Sequence, residues 1–162
     1  MTRSAAAAKS NPAPEPAVLL VDDNRDDQFF FQLAWEKSMA CHLLRFASSC
    51  QQAMDYLNGQ SEFADRIRFP FPALVVLDLQ LPDRSGSQLL RWIRSQARFS
   101  RLLVIVLSGS VDEADVNQAY SNGANSFLQK STRPQDLQQT VKWIQTYWLT
   151  QKFSAPGSRI QA

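Results

Sequence analysis

The chain of 162 residues contains only two cysteines and one histidine, and this scarcity excludes several kinds of site. Cys41 and Cys50 lack the close spacing of a redox motif and are too few for a cysteine metal site, so we interpret them as packing residues. His42 alone offers little material for a histidine metal site or a catalytic triad. Any chemistry is therefore expected to depend on other side chains.

The sequence also lacks long hydrophobic runs and a strong excess of one charge. No segment has the length of a membrane-spanning helix, and the four alanines at 5–8 are too short for a secretory signal. The formal net charge is +2, but the basic excess lies in the terminal segments. Arg91, Arg94 and Arg98 share one face of a predicted helix, which we interpret as solvated rather than phosphate-binding. We expect a cytoplasmic protein that binds neither membranes nor nucleic acids.

Strand-like and helix-like patterns alternate through the central part of the chain. The predicted strands span residues 17–21, 43–46, 73–77, 102–107 and 125–129. The predicted helices span residues 26–39, 49–57, 87–97, 112–121 and 134–150. This alternation predicts an α/β domain over residues 17–150, with a doubly wound, five-stranded parallel sheet between two layers of helices. Residues 1–16, rich in alanine and proline, are predicted to be a disordered arm, and residues 151–162 a flexible tail.

Polar side chains follow the apolar strands at the points where the strands end. Asp78 directly follows the third strand, and Asp22 and Asp23 follow the first. Ser108 and Lys130 follow the fourth and fifth. Carboxyl ends of parallel strands meet at one edge of a sheet, so we expect these side chains to lie together. Crowded carboxylates favour a bound cation, and their oxygens suit Mg²⁺. An acceptor Asp with a metal, an ammonium and a hydroxyl indicates phosphoryl transfer, with Asp78 as the acceptor.

The chain resembles the receiver domains of two-component response regulators. The residues that carry the resemblance are Asp22, Asp23, Asp78, Pro82, Gly86, Ser108, Phe127 and Lys130. Within that family it is most similar to the small regulators that partner bacterial and cyanobacterial phytochrome kinases. That narrower likeness depends on the long loop before Asp78, on Lys130-Ser131, and on the aromatic ending at 147–149. The resemblance implies the flavodoxin-like (βα)5 fold, covering about residues 17–150.

The resemblance also implies how the acceptor and its metal are arranged. Asp78 would take a phosphoryl group from a phosphohistidine of a sensor histidine kinase. Asp23 and Asp78 would bind Mg²⁺ together with the backbone carbonyl of Gln80, and Asp22 would hold a metal-bound water. Such a protein catalyses only its own phosphorylation and slow dephosphorylation, so we do not expect an enzyme in the usual sense.

A switch is implied by the same resemblance. Lys130 and Ser108 would bind the phosphoryl oxygens, and Phe127 would move inward into the space that Ser108 vacates. Two residues depart from the family pattern: Ser85 precedes Gly86 where an acidic or amide residue is common, and Ser131 replaces the proline after Lys130. A cis bond at a non-proline residue costs about 2.5–4 kcal/mol, so the usual cis bond after Lys130 is not expected.

Two aromatic surfaces are predicted to bind partners. The predicted core face of the first helix comprises Phe30, Phe31, Ala34 and Trp35. Phe29 and Leu33 then lie on another side, either as part of a broad core stripe or as a contact for the kinase. Trp143 and Tyr147 lie off the core spacing of the last helix, and we expect a homodimer through the last two helices and the last strand.

The pattern favours a phosphorylation switch that signals by protein contact without an attached output domain, and three other functions compete with it. A degenerate receiver could act as a phosphorylation-independent interaction module, although the complete set of acidic residues, Ser108 and Lys130 argues against it. A phosphatase with an Asp nucleophile needs a second Asp at position 80, where Gln80 stands. A nucleotide-binding fold would need a Gly-rich or Ser-rich loop in place of Asp22-Asp23.

Overall fold

Five β-strands and five α-helices alternate along residues 16–149, the part of the chain that this computed structural model describes. The strands are β1 Ala17–Val21, β2 Leu43–Ala47, β3 Pro72–Leu77, β4 Leu103–Ser108 and β5 Ser126–Gln129. The helices are α1 Arg25–Lys37, α2 Cys50–Asn58, α3 Gly86–Ser95, α4 Glu113–Ser121 and α5 Pro134–Trp143, followed by a π-helical segment, Ile144–Leu149. The predicted bounds are correct to within two residues, except that the last helix changes to π-helical geometry. The predicted tail, and the predicted arm apart from Pro16, lie outside the described residues.

All strand pairs are parallel, and the strand order is β2-β1-β3-β4-β5. This confirms the predicted doubly wound sheet. The chain moves from β1 outward to β2 and then returns to the other side of β1 to form β3. The carboxyl ends of β1 and β3 therefore flank the point where the winding reverses, which is where open α/β sheets bind ligands.

Helices cover both faces of the sheet because successive side chains of each strand point to opposite faces. In β1, Leu19 and Val21 pack toward α2 and α3, whereas Val18 and Leu20 pack toward α1 and α5. The four residues Leu74–Leu77 of β3 are fully buried, so this strand is apolar along its length. Its unbroken core fixes the position at which Asp78 leaves the sheet.

The helices around this edge begin at residues that cap their free N–H groups. Asn24 accepts hydrogen bonds from the N–H groups of Asp26 and Asp27 at the start of α1. Ser85 and Gln88 form a capping box at the start of α3. The departure from the family pattern at position 85 therefore has a local structural role, since it fixes the first turn of α3.

Two interpretations of helix faces and one of a cysteine are wrong. Phe30 is half-exposed rather than in the core, because Phe31, Ala34 and Trp35 already complete the stripe of α1 that faces the sheet. Arg94 is not solvated: its guanidinium group bonds to the backbone of neighbouring loops. Cys41 is exposed in the loop before β2, whereas Cys50 is buried as expected.

Within residues 16–149, no helix is both long enough and apolar enough to cross a membrane.

Candidate phosphoryl-acceptor site

Three carboxylates meet at the ends of β1 and β3. The N–H group of Asp78 donates to the carbonyl of Val21 at 2.9 Å, so the pairing of β1 with β3 continues to Asp78. Asp22, Asp23 and Asp78 each place one carboxylate oxygen within 4.8 Å of the other two. Asp22 and Asp78 are buried, and Asp23 is exposed. The sequence-predicted acidic cluster therefore forms in the structure.

Lys130 neutralises much of this negative charge. Its Nζ atom lies 2.7 Å from Asp22 Oδ2, 2.8 Å from Asp78 Oδ2 and 2.7 Å from Asp27 Oδ2. The backbone N–H of Lys130 donates to the carbonyl of Ser108 at 2.7 Å, which extends the pairing of β4 with β5 and brings the ammonium group to this edge. Burial disfavours the charged ammonium, but the three carboxylate hydrogen bonds outweigh it and raise the pKa of Lys130.

The Asp22 carboxyl is the most deeply buried acid of the group. Burial raises its pKa, although hydrogen bonds from Lys130 and from the N–H of Asn24 oppose the shift. A carboxylate held charged in such surroundings gains from a nearby cation. Several carboxylates gathered around a single ammonium group favour a further cation at this edge.

Asp27 is the functional neighbour that sequence reasoning missed. It lies in the first turn of α1, where its carboxylate reaches Lys130 across the top of the sheet. In the sequence it reads only as a second acid at a helix start. The signal that could have found it is its position one turn after Asp23, on a helix whose N-terminus follows β1 directly.

Backbone groups hold Asp78 and the start of α3 in close contact. The N–H of Gln80 donates to Asp78 Oδ1 at 3.0 Å, and the N–H of Gly86 donates to the carbonyl of Leu79 at 2.8 Å. A Cβ atom at Gly86 would lie 2.2 Å from the carbonyl oxygen of Asp78. Only glycine therefore allows α3 to start this close to Asp78.

The acidic cluster opens into a cleft with room for a hydrated ion. The cleft has a volume of about 330 Å³. Its lining residues are Asp23, Asn24, Asp27, Asp78, Gln80, Leu81, Pro82 and Lys130. Two buried carboxylates, one exposed carboxylate and access to water suit a hard divalent cation such as Mg²⁺. Gln80 lies at the cleft, as the prediction of its backbone carbonyl as a ligand requires.

Ser108 and Phe127 lie on the side of the site toward α4. Ser108 is buried, and its hydroxyl accepts a hydrogen bond from the N–H of Ser110 at 3.3 Å. It lines a second groove together with Gln80. Phe127 is half-buried against the core, and its N–H donates to the hydroxyl of Tyr120 on α4 at 3.2 Å. Of the two predicted switch residues, Ser108 thus shares a groove with Gln80, and Phe127 is hydrogen-bonded to α4.

All peptide bonds between described residues are trans, including the bond between Lys130 and Ser131. This agrees with the sequence expectation that serine does not support the cis form.

The sequence of residues 18–142 matches the family model of the response regulator receiver domain. The chain belongs to this family. This receiver domain is 33% identical to the response regulator Rcp1 of Synechocystis sp., over 84% of the chain and 90% of that protein.

Solved structures extend the likeness. The phosphorylated cyanobacterial phytochrome response regulator RcpA is 33% identical and superimposes with a TM-score of 0.76, covering 84% of this receiver and 95% of that chain. The Mn²⁺-bound form of Rcp1 is 32% identical and superimposes with a TM-score of 0.75, and the match covers 87% of this receiver and 99% of that chain. The expected likeness to phytochrome response regulators is confirmed.

The residues predicted as partner surfaces are exposed or half-buried. Phe29 is 55% exposed and Leu33 is half-buried on α1. On the last helical segment, Trp143 is 60% exposed and Tyr147 is 65% exposed. Their exposure leaves both surfaces available for contact.

Proposed function

We propose that this receiver domain accepts a phosphoryl group on Asp78 from a sensor histidine kinase, with a bacteriophytochrome-type kinase as the donor. The observation that carries the proposal is the position of Asp78, a buried carboxylate with Lys130 at 2.8 Å and two further carboxylates beside it. The likeness to RcpA and Rcp1 supports the choice of kinase class.

In the proposed reaction, a carboxylate oxygen of Asp78 attacks the phosphorus of the phosphohistidine. A new P–O bond forms and the P–N bond breaks, and the electron pair of the P–N bond stays on the imidazole nitrogen. The imidazole leaves as a neutral ring, either with the proton already on its other nitrogen or with one taken from water. Asp23, Asp78 and the backbone carbonyl of Gln80 would hold Mg²⁺, and Asp22 would hold a water of the ion. When bound, the ion supplies positive charge to the transferring oxygens. Lys130 supplies the protein's own positive charge at the same point.

The proposed readout of phosphorylation passes through Ser108 and Phe127. A phosphoryl group adds about −1.5 to −2 charge at pH 7 and strong acceptor oxygens, to which the Ser108 hydroxyl would turn. That hydroxyl now accepts only the long bond from Ser110, which costs little to break. Phe127 would follow inward, and its backbone bond to Tyr120 would transmit the change to α4.

Phosphotransfer from an autophosphorylated bacteriophytochrome kinase tests the proposal. The native chain is expected to gain the labelled phosphoryl group in the presence of Mg²⁺, and Asp78→Asn is expected to gain none. Transfer that survives Asp78→Asn would refute the assignment of the acceptor. No transfer to the native chain from any of several such kinases would favour the phosphorylation-independent interaction module instead.

We further propose that Phe29 and Leu33 contribute to the kinase contact. Phe29 and Phe30 pack edge to face, with ring centroids 5.7 Å apart, and both residues are about half exposed. The double variant Phe29→Ala, Leu33→Ala should slow phosphotransfer from the kinase but leave phosphorylation by a small donor unchanged. Ile67→Ala is a matched control, since Ile67 is 89% exposed in a distant loop. Equal transfer rates for both variants would refute this contact.

From the second surface we propose a homodimer through the last two helices, α4 and α5 with its π-helical end, and the last strand, β5. Trp143, Tyr147 and Trp148 line a largely apolar groove of about 480 Å³ beside the edge strand β5. Sedimentation of the native chain, with and without a phosphoryl mimic, should give a dimer that Trp143→Ala weakens. A monomer under both conditions would refute it.

A further inference from the structure

The ammonium group of Lys130 has no hydrogen-bond donor to spare in this structure. A lysine ammonium carries three N–H groups. Here they face three carboxylate oxygens, those of Asp22, Asp27 and Asp78, at 2.7 to 2.8 Å. To bind an oxygen of the incoming phosphoryl group while Asp78 is still a free carboxylate, Lys130 has to release one of these partners.

Asp27 is the partner that is released at the lowest cost. Its carboxylate is 37% exposed, whereas that of Asp22 is 2% exposed and is also held by the N–H of Asn24. A carboxylate that can turn into water is hydrated there, so leaving its cation costs little. A buried carboxylate that loses its cation stays charged in apolar surroundings, which is strongly destabilising. Asp22 is also expected beside the metal, whereas Asp27 is not a member of the close carboxylate triplet.

The structure gives the Asp27 carboxylate a place to turn. Asp27 and Lys130 line the cleft that contains Asp78, and both also line a second cleft toward α5. The second cleft has a volume of about 160 Å³ and is walled by Phe30, Phe31 and Leu137. The ion pair therefore forms the partition between the two clefts. Because the Asp27 side chain is 37% exposed, rotation away from Lys130 brings its carboxylate into water.

We propose that Asp27 is a positioning residue that holds Lys130 back in the unphosphorylated protein and thereby slows phosphorylation of Asp78. This inference depends on the proposed function. Asp27 stabilises the unphosphorylated state, and its ion pair with Lys130 is broken before or at the transition state of transfer. It therefore affects the gain of the phosphoryl group and not its loss. It sets the rate at which the phosphoryl group is gained and has little effect on the rate at which it is lost.

Phosphorylation by phosphoramidate and Mg²⁺, followed by intact mass spectrometry, tests this assignment. In this reaction the P–N bond of the donor breaks, its nitrogen leaves as ammonia after protonation, and a P–O bond forms on Asp78. Asp27→Asn should gain the phosphoryl group about fivefold faster than the native chain, which corresponds to the loss of one partly exposed ion pair. After removal of the donor, both proteins should lose it at the same rate.

Asp26→Asn is the matched control. Asp26 precedes Asp27 in the same helical turn, is exposed, and its removal changes the net charge and the charge near the helix N-terminus in the same way. It should gain the phosphoryl group at close to the native rate. Asp27→Glu keeps the charge and should remain within about twofold of the native rate, because the glutamate can still pair with Lys130 at an exposed position.

Three results would overturn the assignment: equal gain rates for Asp27→Asn and Asp26→Asn, a slower gain in Asp27→Asn, or a parallel change in the rates of gain and loss. The last result would indicate that Asp27 acts in the transition state itself. Failure of the native chain to form any adduct would instead refute the proposed function, so the two failures are distinguishable.

Discussion

Arg94 offers a test of the scaffold that supports the site, because its side chain ties α3 to the segments that precede β4 and β5. Its Nε donates to the carbonyl of Gly123 at 2.8 Å, and its Nη1 donates to the carbonyl of Leu102 at 2.8 Å. Its Nη2 donates to Asn125 Oδ1 at 3.0 Å. A longer bond of 3.4 Å reaches the carbonyl of Phe99.

Replacement of Arg94 by alanine removes all of these bonds at once. A hydrogen bond to a charged group contributes about 1.5–3 kcal/mol, but water can reach part of this half-buried position and replace some partners. We therefore expect Arg94→Ala to lower the free energy of unfolding by about 3 kcal/mol. At about 2–4 °C per kcal/mol for a domain of this size, the unfolding midpoint should fall by about 6–12 °C.

Urea denaturation followed by circular dichroism measures the change, and Arg91→Ala is the control. Arg91 lies one turn earlier on α3 and is exposed, so its removal should change the free energy of unfolding by less than about 0.5 kcal/mol. Arg94→Lys keeps the charge but lacks the planar fork, so it should recover less than half of the loss. Equal effects of Arg94→Ala and Arg91→Ala would refute the role of Arg94.

Three further predictions follow from the geometry of the site and the core. Gly86→Ala should slow phosphorylation and destabilise the fold by at least about 1–3 kcal/mol, measured by mass spectrometry and urea denaturation, because its methyl group overlaps the carbonyl of Asp78. Mg²⁺ should raise the unfolding midpoint of the native chain but not that of Asp23→Asn. Without Mg²⁺, Asp23→Asn should be at least as stable as the native chain, since it loses a charge that repels its neighbours. At pH 8 a disulfide-exchange reagent should modify the exposed Cys41 but not Cys50, because burial raises the pKa of the Cys50 thiol to about 11 and blocks access; rapid modification of both thiols in the folded protein would contradict this.

The sheet and the acidic cluster were predictable because they depend on local patterns. The apolar runs that end at Val21 and Leu77 identify buried parallel strands, and the parallel topology then brings Asp22 and Asp78 together. Lys130 follows from the same rule, because β5 ends beside β4 at this edge.

Other features were not predictable from the sequence because they depend on how each helix is rotated and where loops cross it. The partners of Arg94 include Gly123, which lies 29 residues away, so no local pattern identifies them. Phe30 fits the apolar stripe of α1 by spacing, yet it lies just beyond the edge of that stripe. Asp27 reaches Lys130 only because the first turn of α1 follows β1 closely and the Lys130 side chain extends across the end of the sheet to Asp22 and Asp78.

The formation of an Asp78-dependent phosphoryl adduct tests the central claim most directly. The native chain and Asp78→Asn are each incubated with a small phosphodonor, with Mg²⁺ or with a chelator, and their intact masses are compared. The account predicts one added phosphoryl group on the native chain with Mg²⁺, a much slower gain with the chelator, and none on Asp78→Asn. An adduct of equal yield on Asp78→Asn, or a native chain that gains no phosphoryl group with Mg²⁺, would contradict it.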